Sequence, residues 1–211
     1  LSVTNTAGGN TRKTTLNEGI LEIADLDNIG GNTGALVFAG GILRLGSTLT
    51  DDISTRTISF LNGGGTIDTN NVNLTLANSV GSGVGGLTKT GLGVLTLGAA
   101  STYTGTTTVS SGTLAVTANN ATGGGGALAI GAGATLDIGT NSITHNTVTT
   151  TGASPFITGA GTISSSAGFN FTHTGDTTID AILAGTGGLF KNQTNILTLN
   201  GTRTYTGGTE I

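Results

Sequence analysis

Residues 85–109 read GGLTKTGLGVLTLGAASTYTGTTTV, and residues 187–211 read GGLFKNQTNILTLNGTRTYTGGTEI. The two stretches align without a gap at an offset of 102, with 12 identities in 25 positions. Both tyrosines of the chain, Tyr103 and Tyr205, and two of its three lysines, Lys89 and Lys191, fall at matched positions. A hundred residues is too long for one elementary repeat. Each copy therefore contains several coils, of which only one or two keep the pattern. The chain reads as a single segment, 1–211, with internal halves at about 1–113 and 114–211 related by the 102-residue offset.

Around these copies, apolar residues alternate with small polar ones: GILEIAD (19–25), GILRLGS (41–47), VNLTLAN (72–78), GTLAVTA (112–118), ATLDIGT (134–140). A period of two in Val, Ile, Leu and Thr predicts strands with one buried face. No stretch shows a 3.6-residue period. The strands should be three to six residues long, bounded by Gly and Asn, which turn corners because they tolerate φ > 0. Composition agrees: 39 Gly, 44 Thr and 18 Asn occupy 101 of 211 positions. Gly and Thr are poor helix formers, so packed helices are excluded. Zero Cys removes disulfides, thiolate metal sites and a Cys nucleophile. A mean hydropathy of +0.20 with a net charge of only −4 is unlike a disordered chain.

Short strands with Gly/Asn corners could build a sandwich, a propeller or a β-helix. A sandwich calls for tight hairpins, for which Asn62-Gly63 and Asn200-Gly201 are the candidates. Propeller blades carry aromatic signatures, and aromatics are only 4% here. A β-helix accounts for more. Coils that cannot bury an apolar face alone gain a core by stacking, and stacked Thr and Asn can hydrogen-bond in ladders along the axis. The expected fold is all-β: a right-handed parallel β-helix of roughly 8–10 coils, each of about 20–25 residues, forming a rod of about 40–50 Å.

The segment 85–116 resembles the passenger-associated transport repeat of autotransporters. The matching positions are Gly86, Leu87, Lys89, Gly91, Gly93, Leu95, Thr96, Leu97, Gly98, Tyr103, Gly105, Thr107, Val109, Gly112 and Leu114. In the second copy Gly188, Leu189, Lys191, Leu197, Leu199, Tyr205 and Gly207 match, while Asn192, Gln193 and Asn195 depart and two glycines are lost. The position before the Tyr where the family has Asn holds Ser101 in one copy and Arg203 in the other. The resemblance implies a right-handed β-helix within a large exported surface protein; it does not imply an activity, because such repeats serve passengers with many roles.

Chemistry-bearing groups are sparse. His145 and His173 lie 28 residues apart and would pair only if that were one coil; the simpler reading is two solvated histidines on different faces. Asp176 and Asp180 near His173 make the best hydrolytic candidate, set in what looks like a corner loop. Asp25 and Asp27 form one acidic cluster and Asp51 and Asp52 another. They are weak calcium candidates, because neither EF-hand nor calcium-roll spacing is present. Asp68 and Asp137 should point outward from strands, and Phe169 and Phe171 should share the core. The tyrosines, recurring at one repeat position, should be structural. No catalytic residue, metal or cofactor is assigned.

Seven basic residues scattered among 11 acidic ones leave no footprint for nucleic acid, and no apolar run is long enough for a membrane-spanning helix. The chain starts without Met or a signal-like segment, and its opening LSVTNTAGG resembles 114–124, so it reads as cut from a repeating pattern. Three functions are expected in order. The first is a non-catalytic stalk or adhesin segment of an extracellular bacterial surface protein. The second is a subunit stacking end to end on copies of itself into a filament. The third is a protein that binds or degrades host or surface glycans.

Overall fold

The computed structural model, which describes residues 2–8, 11–30 and 34–211, is a parallel β-solenoid of about nine turns. Most strands have three or four residues, and among the described residues the only helical elements are single 3-10 turns at Leu26–Ile29 and Ile53–Thr55. Three sheets form its faces. One has eleven strands, from Ile20–Ile23 to Thr209–Glu210. A second has seven, from Leu74–Leu76 to Leu197–Leu199. The third has four, from Ser2–Gly8 to Thr57–Phe60.

Strand register explains the internal repeat. Along the eleven-stranded sheet the column Leu87, Thr107, Leu128, Val148, Phe169, Leu189 advances in five steps of 20 or 21 residues. The offset of 102 is therefore five coils. Earlier coils are slightly longer, with Ile20 opposite Ile42 and Ile42 opposite Thr66. Alternation places Leu43, Ile67, Leu87, Leu95, Leu114 and Leu136 in a continuous interior, each 0% exposed. Phe169 and Phe171 are buried there as expected, with ring centroids 6.2 Å apart.

Three features differ from the sequence reading. Ser2–Gly8 pairs antiparallel with Thr11–Glu18, the one antiparallel pair among the described strands. A two-residue connection permits a hairpin but not a parallel crossover. The strands Ser142–Gly152 and Thr162–His173, of 11 and 12 residues, exceed the expected length. They run around a corner through an irregularity between His145 and Thr147, where other coils break at Gly105 or Gly126. Such a bulge re-phases the side chains: Ile143 and His145 point inward before it, Val148 and Thr150 after it.

The third difference concerns Thr and Asn. Side-chain-to-side-chain Thr ladders were expected, but among the described residues no Thr–Thr side-chain bond joins neighbouring coils. Most of their bonds between coils run to backbone. Thr102 Oγ1 donates to Gly81 O (2.6 Å) and Thr172 Oγ1 to Thr150 O (3.1 Å). Asn73 Oδ1 accepts from Val94 N and Asn119 Oδ1 from Ser142 N, both at 2.8 Å. At corners the backbone leaves the sheet ladder and its polar groups need new partners. A short polar side chain one coil away supplies them, for about 1 kcal/mol each.

Candidate functional site

The repeat's most informative residue is Lys89. Leu87 and Lys89 share a phase, so the lysine points inward, in a column between Ile67 and Val109. It is 0% exposed. Its Nζ donates to Thr90 O (2.9 Å), Gly91 O (2.8 Å) and Ser111 O (3.0 Å), tying the corner of its own coil to the corner of the next. Burial pushes the ammonium pKa down to about 8, with nearby Asp68 acting in the opposite direction. Gly91 holds φ +77°, and a Cβ at Gly93 would stand 2.0 Å from Val72 O, so the repeat's glycines let the corner lie flat on the coil before it. In the second copy Lys191 donates to Gln193 O and to Asn195 Oδ1 (3.2 Å), and Asn195 Nδ2 donates to Gly175 O (2.6 Å). A side-chain amide there helps tie coils where the first copy has glycine.

Tyr103 is the second fixed point. It is 0% exposed, and its ring meets Phe60 edge-on at 5.3 Å. Thr107 Oγ1 donates to Thr122 O (2.7 Å), so the Tyr103 hydroxyl donates to Thr107 Oγ1 (2.7 Å). Burial pushes the phenol pKa up. Tyr205 and Thr209 repeat the bond at 2.8 Å, and the Tyr205 ring packs on Phe169 at 5.9 Å. Both tyrosines thus spend their hydroxyls on a threonine four residues on and their rings on a phenylalanine of the interior. Gly105 and Gly86 complete the unit: a Cβ on Gly105 would lie 2.3 Å from Gly85 C, and one on Gly86 2.0 Å from Thr106 O. Gly207 and Gly188 are pressed the same way, with Gly188 N 2.3 Å from a Cβ on Gly207 and Gly208 O 2.5 Å from one on Gly188. Gly105→Ala must push two coils apart and is expected to cost about 1–3 kcal/mol, read as a lower unfolding midpoint.

The histidines are not solvated. His145 is 1% exposed and His173 0%. His145 Nδ1 donates to Gly126 O (3.2 Å), which leaves Nε2 to accept from Thr122 Oγ1 (2.8 Å). His173 Nδ1 lies 2.9 Å from Thr150 Oγ1, and its ring packs on Phe171. They sit on neighbouring strands but do not face each other, since His145 is opposite Ser165 and His173 opposite Gly152. Burial lowers both pKa values. The Gly126 carbonyl opposes this at His145; at His173, Lys191 adds to it and Asp176 opposes it. The unfolded chain takes up protons near pH 6.5 that the folded one refuses. Stability is thus full above about pH 6.5 and falls as pH drops below it. The denaturant midpoint should be lower at pH 5 than at pH 7, and His145→Gln with His173→Gln should flatten that slope.

The candidate acids are spread over separate ties. Asp176 Oδ1 accepts from Ile196 N (2.9 Å) and Asp180 Oδ1 from Asn200 Nδ2 (2.8 Å), both one coil on, while His173 points inward. Asp25 caps the first 3-10 turn by accepting from Asp27 N (2.7 Å). Asp52 caps the second and also accepts from Ala77 N (3.0 Å), with Asp51 exposed beside it. Among the described residues, no group of three or more His, Cys, Asp or Glu is placed to hold a metal ion. Asp68 faces outward and pairs with Arg44 at 2.8 Å, which lowers its pKa against the opposing effect of burial. Arg56 escaped the sequence reading. It is 2% exposed and donates from Nη1 to Ile29 O (2.7 Å). Its phase with Ile58 and Phe60 was the available signal.

On the surface, a groove of about 390 Å³ runs over Gly63, Gly64, Gly65, Gly85, Gly86 and Gly105, edged by outward Thr66, Thr88 and Thr108. A groove floored by Gly168, Gly188 and Gly208 occupies the same place five coils on.

These features define a class: a β-solenoid whose corners are tied at five-coil intervals by an inward lysine and a buried or half-buried tyrosine. Residues 87–116 and 189–211 match the family model of the passenger-associated-transport-repeat. Over 132 residues, 61% of the chain, the sequence is 38% identical to the adhesin BmaC autotransporter of Brucella suis biovar 1 (strain 1330). The chain spans 4% of that protein's length. No solved structure matches the chain.

Proposed function

We propose that this chain is a non-catalytic stretch of an autotransporter passenger, carried to the cell exterior, where it extends a larger surface protein as a stiff rod. The observation that carries this reading is the use made of the polar interior. Lys89, Tyr103, His145 and His173 are all spent on holding coils together, and the carboxylates of Asp52, Asp176 and Asp180 tie neighbouring coils. The adhesin similarity supports surface exposure. Protease shaving of intact cells that carry the whole gene should remove this region. Its persistence until the cells are lysed would count against the reading.

The final coil bears on how the rod continues. Leu197 and Leu199 are half-buried, whereas their counterparts Leu95 and Leu97 lie beneath the strand Thr113–Val116 and are 0% and 1% exposed. The proposed cover is a further coil of the same polypeptide. The filament of identical copies is the second reading, because a second copy could supply that cover. Appending a copy of residues 110–130 after Ile211 should stabilise the chain by about 2 kcal/mol. Sedimentation should show one species at all concentrations; growth with concentration would favour the filament.

A further inference from the structure

We infer that Asn62 is a site of spontaneous backbone-assisted deamidation in the folded protein, and that Asn200, in the same Asn-Gly dipeptide, is protected by the fold. Neither dipeptide forms a hairpin. Asn62-Gly63 joins Thr57–Phe60 of the four-stranded sheet to Gly65–Asp68 of the eleven-stranded one, so it is a corner of the coil.

The reaction needs a nucleophilic backbone nitrogen, an unhindered approach and a free side-chain amide. The Gly63 nitrogen, having given its proton to solvent base, attacks Asn62 Cγ. A new N–C bond closes a five-membered imide, the Cγ–Nδ2 bond breaks, and ammonia leaves after taking up a proton. Water then opens the imide at either carbonyl, leaving aspartate or isoaspartate. Asn62 is exposed, and among the described residues neither its side chain nor the Gly63 N–H has a hydrogen-bond partner. Gly63 has no Cβ to obstruct the ring. The corner is anchored only on either side, by Leu61 N to Phe38 O and Gly64 N to Leu61 O, both 2.8 Å.

Asn200 is exposed too, and among the described residues the Gly201 N–H likewise has no hydrogen-bond partner; what differs is the hold on its side-chain amide and on its corner. Its Nδ2 donates to Asp180 Oδ1 (2.8 Å), and its N–H donates to Ile179 O (2.9 Å). The backbone of Gly201 is wedged on the previous coil, where a Cβ would stand 2.3 Å from Ala181 O. Rotating this peptide to reach Cγ means breaking a charge-assisted bond and lifting the coil. The product at Asn62 would also matter for the surface, because Asn62 lines the glycine-floored groove. Deamidation places a carboxylate in a groove whose named walls are glycine, threonine, valine and asparagine, and the isoaspartate form adds a methylene to the backbone at a stacked corner.

The test uses the whole folded chain, held at mildly alkaline pH and sampled by tryptic mapping. Asn62 falls in fragment 57–89 and Asn200 in fragment 192–203. Each rate is divided by that of the same site in denaturant. Asn62 should convert in the folded protein, with isoaspartate detected, and Asn200 should be slower by roughly tenfold. Asp180→Ala should raise the rate at Asn200 and leave Asn62 unchanged. Equal normalised rates at the two sites, or an Asn62 that stays intact while the denatured chain converts, would overturn the inference. An Asn200 rate unmoved by Asp180→Ala would overturn the assigned cause of its protection.

Discussion

Lys89→Ala should destabilise the solenoid by about 3–5 kcal/mol, among the largest effects of any single side-chain truncation in the chain. The change removes a buried four-carbon stem and leaves a cavity. It also strips a donor from Ser111 O and the better of two donors from Gly91 O, which keeps Ser111 Oγ at 3.4 Å, at a half-buried corner. Thr90 O suffers less, because Thr69 N (2.9 Å) and Thr69 Oγ1 (3.0 Å) still donate to it. Lys89→Met keeps most of the volume and relieves the desolvated charge, so it isolates the lost donors and should cost about 1–2 kcal/mol. Guanidinium unfolding of both variants checks the pair. A Lys89→Met protein as stable as the parent would show that the ammonium serves no structural purpose. Lys191→Ala should cost less than Lys89→Ala, because Lys191 lies next to the half-buried final coil.

Tyr103→Ala should cost a similar 3–5 kcal/mol, and Tyr103→Phe about 1 kcal/mol. The difference between them separates ring packing from the hydroxyl. The ring fills the space above Phe60 and beside Gly123, where a Cβ would come within 2.8 Å of Tyr103 Cε2. Gly81 and Gly123, which flank the ring, have no side chain to expand into that volume. Tyr205→Ala repeats the deletion at a half-buried site and should lose clearly less. Equal losses at Tyr103 and Tyr205 would mean that burial is not the cause. Because stacked coils contact only their neighbours, hydrogen exchange should place the weakening near the substituted coil rather than evenly along the rod.

Much of this was legible in the alternation. Each strand named from period two is present, and Lys89 is inward because it keeps the phase of Leu87. The same rule would have placed His173, which follows Phe169 and Phe171 in phase, and Arg56, which precedes Ile58 and Phe60. His173 reads as solvated because a polar residue in a Thr-rich strand looks so, and Arg56, just before its strand, drew no reading. His145 was harder. The bulge after it breaks the phase with Val148, and a bulge leaves no mark in composition. The meaning of the 102-residue offset was also hidden, since the four coils between the copies keep the coil length of 20 or 21 residues but lose the lysine and the tyrosine. What the Thr and Asn residues bond to could not be read from type alone, because the backbone groups they reach are exposed only by the corners.

The central claim is that the two repeats lie on one parallel stack, five coils apart. Thr88 and Phe190 face outward at matched positions on the eleven-stranded sheet, and the chain has no cysteine, so each can be replaced by a labelled cysteine without competition. Pulsed electron spin resonance on the doubly labelled Thr88→Cys, Phe190→Cys protein should give one narrow distance distribution near five strand spacings, about 24 Å. A broad distribution, or a separation far from that value, would contradict the solenoid and the structural role built on it.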